Sequence, residues 1–153
     1  MSLRKILEQN EAFIFTCTNF REIKASLSEI FGVLANSVLS HAGIRAGERS
    51  YQMSTEAAKD RREALGFLSE LKADENWGDL AFEKMDWERY TGRILVTNSF
   101  EARGVRSEEP SCYFFKGYLI GFLSEMFQEQ ILVNEDKCAA RGDNQCEFAF
   151  RKA

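Results

Sequence analysis

The chain has one proline, Pro110, and one histidine, His41, among 153 residues. No Gly/Ser-rich or Pro-rich stretch separates two halves, and there is no internal repeat or low-complexity tract. That excludes a linker-joined or solenoid organisation and predicts a single domain with a substantial core. The longest apolar run, Tyr113–Phe127, is too short to span a bilayer and carries Lys116 and Glu125. Residues Met1–Asn10 are charged every few positions and lack an apolar signal-peptide core. The expected location is therefore the cytoplasm. Basic clustering is also missing: the net charge is −4, which argues against nucleic acid or an anionic membrane as a direct partner. No phosphate-cradling glycine loop, nucleotide fingerprint or nucleophile–base pair stands out, so nothing marks an enzyme.

What the chain does have is a pattern of cysteines. Three of the four, Cys112, Cys138 and Cys146, lie in the C-terminal third, with Glu135 three residues before Cys138. Thiols stay reduced in a cytoplasmic chain, so clustered cysteines favour metal over disulfide. Cys112 falls in the first turn of an expected helix, where the dipole supports a thiolate. A regular strand would send Glu135 and Cys138 to opposite faces, so the backbone must bulge or turn between Asp136 and Cys138 for both to face one ion. Three thiolates and one carboxylate form a closed four-coordinate set suited to structural zinc. The alternative is that these cysteines are small buried hydrophobes. Cys17, in an apolar segment far away in sequence, reads as an inert core residue.

The pattern along the chain is β, α, α, β, β, α, β, β. Ala12–Thr18 reads as a short strand. Asn19 and Glu22 then form a capping box, followed by a helix whose apolar stripe is Phe20, Ile23, Leu27, Ile30, Phe31, Leu34 and Val38 and whose stop is Gly43. A second helix starts near Ser54, with a stripe of Ala57, Ala58, Arg61, Leu65, Leu68 and Leu71. Strands follow at Gly78–Asp86 and Arg93–Phe100, with a turn near Glu88–Gly92. Pro110 suits the first position of a third helix. Ser111–Phe127 is apolar nearly all round, so this helix is buried, and Gly117 and Gly121 give it a smooth face for close packing. A final hairpin joins Ile131–Asn134 to Cys146–Phe150, with Gly142-Asp143 in its turn; Arg141-Gly142-Asp143 is a turn and not an adhesion motif. This gives an α+β fold, an antiparallel sheet with helices packed on one face.

The segment Cys112-Tyr-Phe-Phe-Lys-Gly117-Tyr118-Leu-Ile-Gly121-Phe-Leu, then Glu135-Asp-Lys-Cys138, then Gly142-Asp143-Asn-Gln-Cys146-Glu-Phe resembles the V4R (4-vinyl reductase) domain family. The Asn98-Ser99-Phe100-Glu101-Ala102 block and Trp77-Gly78 are similar to the same family, so the strongest match runs from about Trp77 to Phe150. The resemblance implies one V4R-like domain over 1–153, with a helical part (1–75) and a zinc-binding core (76–153), related in fold to Bet3-type subunits of vesicle-tethering complexes. In the aromatic-sensing regulators of the XylR and DmpR kind, such a domain binds phenolic effectors and holds zinc with three cysteines and a glutamate. The implied ligands here are Cys112, Glu135, Cys138 and Cys146. No ATPase or helix-turn-helix region accompanies the domain, so a signal would pass through a homodimer interface or to a separate output protein.

The functional expectation is a small-molecule sensory module for a hydrophobic or aromatic ligand, stabilised by structural zinc. Two alternatives stand beside it: an accessory or enzyme in tetrapyrrole-type vinyl reduction, and a dimeric scaffold. Candidate ligand-binding residues are His41, on the extension of the first helix's stripe, Trp77, and Tyr118 and Phe122, which share a face of the third helix. Trp87 lies in a charged stretch and is expected at a surface or interface.

Overall fold

The computed structural model describes residues 13–153; the reading of Met1–Asn10, and the start of the strand expected at Ala12, lie outside them. The described part of that strand does not form. Residues 13–16 carry no regular structure, and helix α1 spans Cys17–Phe31. The cap is Thr16, not Asn19. Its backbone is extended, and its hydroxyl accepts from the Asn19 amide at 3.1 Å, which satisfies a donor that has no partner inside the helix.

The expected single long helix is two. Gly32 adopts φ 55°, a left-handed conformation that L side chains resist, and it ends α1 before Leu34–Ser54 begins as α2. The break separates the apolar stripe from the core. No residue of α1 is fully buried, and Ile30, Phe31, Val33, Leu34 and Val38 are exposed. Apart from Leu39, the core-facing side of α2 is instead made of small residues: Ala35, Gly43, Gly47, Ser50 and Ser54. Gly43 is therefore a packing residue inside α2 and not a helix stop. Ser54 closes α2, and the next helix, α3 (Arg61–Asp74), starts later than expected because Asp60 caps it, accepting from the amides of Arg62 and Glu63.

Strands β1 (Asp79–Asp86) and β2 (Thr91–Thr97) form the expected hairpin, with the Asp86 carboxylate accepting from the amides of Glu88 and Arg89 in the turn. Helix α4 (Tyr113–Phe127) begins after Cys112; Pro110 stands outside it, in the approach loop. Strands β3 (Ile131–Lys137) and β4 (Cys146–Lys152) complete an all-antiparallel sheet of order β1-β2-β4-β3. Its inward rows, Ile94 and Val96 from β2 and Cys146, Phe148 and Phe150 from β4, pack with Phe115, Leu119, Phe122 and Met126 of α4 in one core. Alternation of period two on the strands and apolarity all round α4 produce this layer arrangement.

Helices α2 and α4 approach until backbone meets backbone. A Cβ on Gly117 would lie 2.0 Å from the Ser40 carbonyl, and one on Gly121 2.1 Å from that of Ile44; Gly43 and Gly47 are equally tight against Phe114 and Tyr118. Four glycines interlock two helices at a distance no side chain would permit.

Candidate metal centre and apolar cleft

The candidate metal centre lies at one end of the sheet. Cys146 is the first residue of β4 and points inward. Cys112 is the last residue before α4. Glu135 lies on β3, where the pairing slips between Glu135 and Lys137. This bulge is the irregularity the Glu135–Cys138 spacing demands, and it carries Cys138 to the same side. A 3₁₀ turn at Ala139–Arg141 and Gly142, at φ 101°, then return the chain to β4.

The sulfur atoms and one carboxylate oxygen of Cys112, Glu135, Cys138 and Cys146 all lie within 4.8 Å of one another. The Cys112 and Cys146 sulfurs are 3.8 Å apart; a tetrahedron with bonds of about 2.3 Å has edges of about 3.8 Å. Glu135 Oε2 accepts from the Cys112 amide at 3.0 Å, while its Oε1 is buried with no partner among the described residues. A buried, unpaired carboxylate oxygen on a residue clustered with three thiols is costly alone and satisfied by a cation. Outer contacts orient the donors: the Ala139 amide donates to Cys146 Sγ at 3.4 Å, Ser99 and Ser111 hydroxyls lie 3.6 and 3.8 Å from Cys112 and Cys138, and Asp143 accepts from the Cys138 amide. Without a cation the four groups compete for protons and cannot all ionise together. Hydrogen bonds from Cys112 and Cys146 hold the Cys138 thiol far below its ordinary range, whereas Cys112 is pushed far above it by the hydrogen bond to Cys138 and then that to Cys146. Burial, with Cys138 beside it, raises the Glu135 carboxyl to about 8. These four residues are fit to hold a metal ion, and with four protein donors the centre would be closed.

A second feature includes Phe114, two residues beyond Cys112. An apolar cleft of about 710 Å³ is lined by residues 13–16, Cys17, Phe20 and Ile23, by Glu75, Asn76 and Trp77, and by Phe100 and Phe114. Trp77 is held by its carbonyl, which accepts from the Phe100 amide at 2.8 Å. Its ring lies 4.9 Å from Phe100, 5.6 Å from Phe114 and 5.1 Å from Tyr118, centroid to centroid. Phe20 reaches from α1 to within 5.0 Å of Phe100. Behind Trp77, the buried Lys72 ammonium sits 3.7 Å over the indole and 4.3 Å over the Tyr118 ring, and it is ion-paired with Glu75. Burial holds the Lys72 ammonium below its ordinary pKa, against the pull of Glu75.

Of the four expected ligand-binding residues, only Trp77 lines this cleft. Tyr118 is buried one layer deeper, its hydroxyl donating to Ser50, and Phe122 packs in the core against Tyr51. His41 is exposed on α2, in a shallow polar depression with Asn36, Ser37, Ser40, Tyr113 and Lys116. The break at Gly32 and the glycine contact with α4 turn that face of α2 away from Trp77. Cys17, expected in the core, opens α1 and lines the cleft. Trp87 is partly buried, 6.0 Å from Phe127 and covered by the Arg62 guanidinium. Sequence reasoning missed Phe20, Phe100 and Phe114 as cleft walls. It also missed Glu101, fully buried, which accepts from Lys24 Nζ at 2.9 Å and from the amides of Phe114 and Phe115 at the start of α4.

Residues 93–152 match the model of the V4R domain family. An uncharacterised protein of Methanocaldococcus jannaschii is 31% identical over 80 residues, covering 51% of this chain and 33% of its own. The phenol regulator MopR of Acinetobacter guillouiae is 26% identical over 115 residues, covering 68% of this chain and 20% of its own. The chain spans between a fifth and about half of the length of the curated relatives it matches. In fold, it resembles the phenol-responsive sensory domain of the transcription activator PoxR with a TM-score of 0.82 at 19% identity, covering 92% of this chain and 76% of that one. It also resembles a trafficking protein particle complex subunit 3 from Naegleria fowleri, solved covalently bound to palmitic acid, with a TM-score of 0.68 at 16% identity over 90% of this chain and 92% of that one. The architecture is thus a Bet3/PoxR-like fold. Among the described residues, no helix is long and apolar enough to cross a membrane.

Proposed function

We propose that the chain is a small-molecule sensory module whose cleft receives a compact hydrophobic or aromatic ligand. The observation that carries this reading is the cleft itself. Its volume falls in the range of ligand sites, its walls are Phe20, Trp77, Phe100 and Phe114, and its polar groups are few. Similarity to MopR and to the phenol-responsive domain of PoxR supports a phenol-sized aromatic. Zinc at Cys112, Glu135, Cys138 and Cys146 fits the donor set. Its part is structural: it would tie the start of α4 to the β3–β4 hairpin and so fix Phe114, two residues beyond Cys112, in the cleft wall. A reducing cytoplasm would keep the thiols available to the ion.

The output would pass through a homodimer or to a separate protein. The exposed apolar residues Ile30, Val33, Leu34 and Val38, which flank the α1–α2 break, support such an interface, and they support a dimeric scaffold as the second reading. Calorimetric titration with phenol, on wild type and on Trp77→Ala, tests the first reading. Micromolar to millimolar binding that falls at least tenfold in the variant supports it. Binding unchanged by the substitution removes the cleft as the site.

A further inference from the structure

We propose that Glu75 sets the charge class of ligand the cleft accepts: aromatic molecules bearing a hydrogen-bond donor, cationic amines most of all, with carboxylates excluded. This rests on the cleft being the ligand site. Among the described residues, Glu75 is the only charged side chain in the cleft wall. Its Oε2 is held by Lys72, while Oε1 accepts no hydrogen bond from any described residue. The side chain is 26% exposed, so a bound molecule can reach it.

Two neighbouring cations might have reversed this polarity, and the geometry removes both. Lys72 is only 2% exposed and absent from the wall; its ammonium is closed off by Glu75, Trp77 and Tyr118. It therefore positions Glu75 and offers a ligand no direct hydrogen bond, leaving the carboxylate as the end of the ion pair that faces the cleft. Arg103 spends its guanidinium on the carbonyls of Asn98, at 2.6 Å, and Asn76, at 3.4 Å. Glu75 also caps the C-terminal end of α3, where the helix dipole adds negative potential. An incoming donor thus meets a pre-oriented acceptor in an apolar surround, and an incoming carboxylate meets a like charge there.

The test is titration of the full chain with four one-ring probes: toluene, phenol, benzylamine and benzoate. Benzylamine and phenol are expected to bind at least tenfold tighter than toluene, and benzoate weakest of all. In Glu75→Gln, benzylamine affinity should fall at least tenfold, benzoate should rise towards toluene, and toluene should be unchanged. The double variant Lys72→Met/Glu75→Gln removes both charges, so it gives the same reading without leaving a buried ammonium unpaired. Equal binding of benzylamine and benzoate by wild type overturns this inference and leaves the cleft standing. A toluene loss as large as the benzylamine loss in both variants makes Glu75 a packing residue and also overturns it. No binding of any probe overturns the cleft reading and this inference with it.

Discussion

Glu135 shows how one side chain can serve two neighbours. One oxygen accepts the Cys112 amide at the mouth of α4, and the other is buried with no donor among the described residues. Cys138→Ser should therefore abolish stoichiometric zinc binding and destabilise the domain by several kcal/mol, since metal-binding energy is folding energy. Elemental analysis with thermal melting checks this; retention of one zinc and of full stability would exclude the proposed donor set. The Cys112, Glu135, Cys138 and Cys146 cluster was legible in the sequence because thiol chemistry and spacing are local properties. The glutamate came with a geometric condition, a break in strand alternation, and the bulge beside Asp136 meets it. The cleft was not legible in the same way. Phe20, Phe100 and Phe114 read as apolar positions, and apolarity says that a residue is sheltered without saying whether protein or ligand shelters it.

At the scale of elements, two contacts hold α4 in place. The first is the glycine interlock with α2. Gly117→Ala should cost about 1–3 kcal/mol or more, because the added methyl meets the Ser40 carbonyl of a facing helix backbone. A denaturant midpoint equal to wild type would show that the helices can separate without penalty. The second is Lys24–Glu101, which joins α1 to the first turn of α4; Lys24 also donates to the Ser111 carbonyl at 2.7 Å. Burial raises the Glu101 carboxyl above its ordinary range, opposed by the Lys24 charge. Lys24→Met removes that opposition, so the carboxyl rises further. A raised carboxyl contributes stability below its unfolded pKa of about 4.3 and loses it as pH climbs. The variant's deficit should thus be small near pH 4 and grow to about 3 kcal/mol by pH 7. Denaturant titration at the two pH values measures it, and a pH-independent deficit would refute the assignment. Neither contact could be read locally. Gly117 and Gly121 announced a smooth face, but their partners, Ser40 and Ile44, lie on a helix whose own pattern pointed its apolar stripe elsewhere.

At the scale of the molecule, the apolar residues around the α1–α2 break and the metal centre at the sheet's end address different questions. If the former form a homodimer interface, Val33→Asp should shift the protein from dimer to monomer in sedimentation with little loss of secondary structure. A wild type that is monomeric at high micromolar concentration would dismiss that interface. Chelation of the metal should lower the melting temperature and weaken phenol binding together, because Cys112 and Phe114 are two residues apart. Acidification should release the ion as the thiolates protonate; a melting temperature indifferent to chelator would separate the two sites.

The amino-acid sequence by itself determined the α+β order from β1 onwards, the burial of α4 and the candidate set of metal donors. Each follows from periodicity, residue chemistry or spacing within a short stretch of chain. Tertiary structure decided the rest. It decided that Gly32 would split one amphipathic pattern into two helices, that the small face of α2 and not its apolar stripe would meet α4, and that Trp77 would face Phe20, Phe100 and Phe114 across an open cleft while His41 faced outward. The physical reason is that an apolar stripe specifies burial without naming its partner. That choice falls to backbone approach, and here four glycines allow α2 and α4 a closer contact than any larger side chains could make.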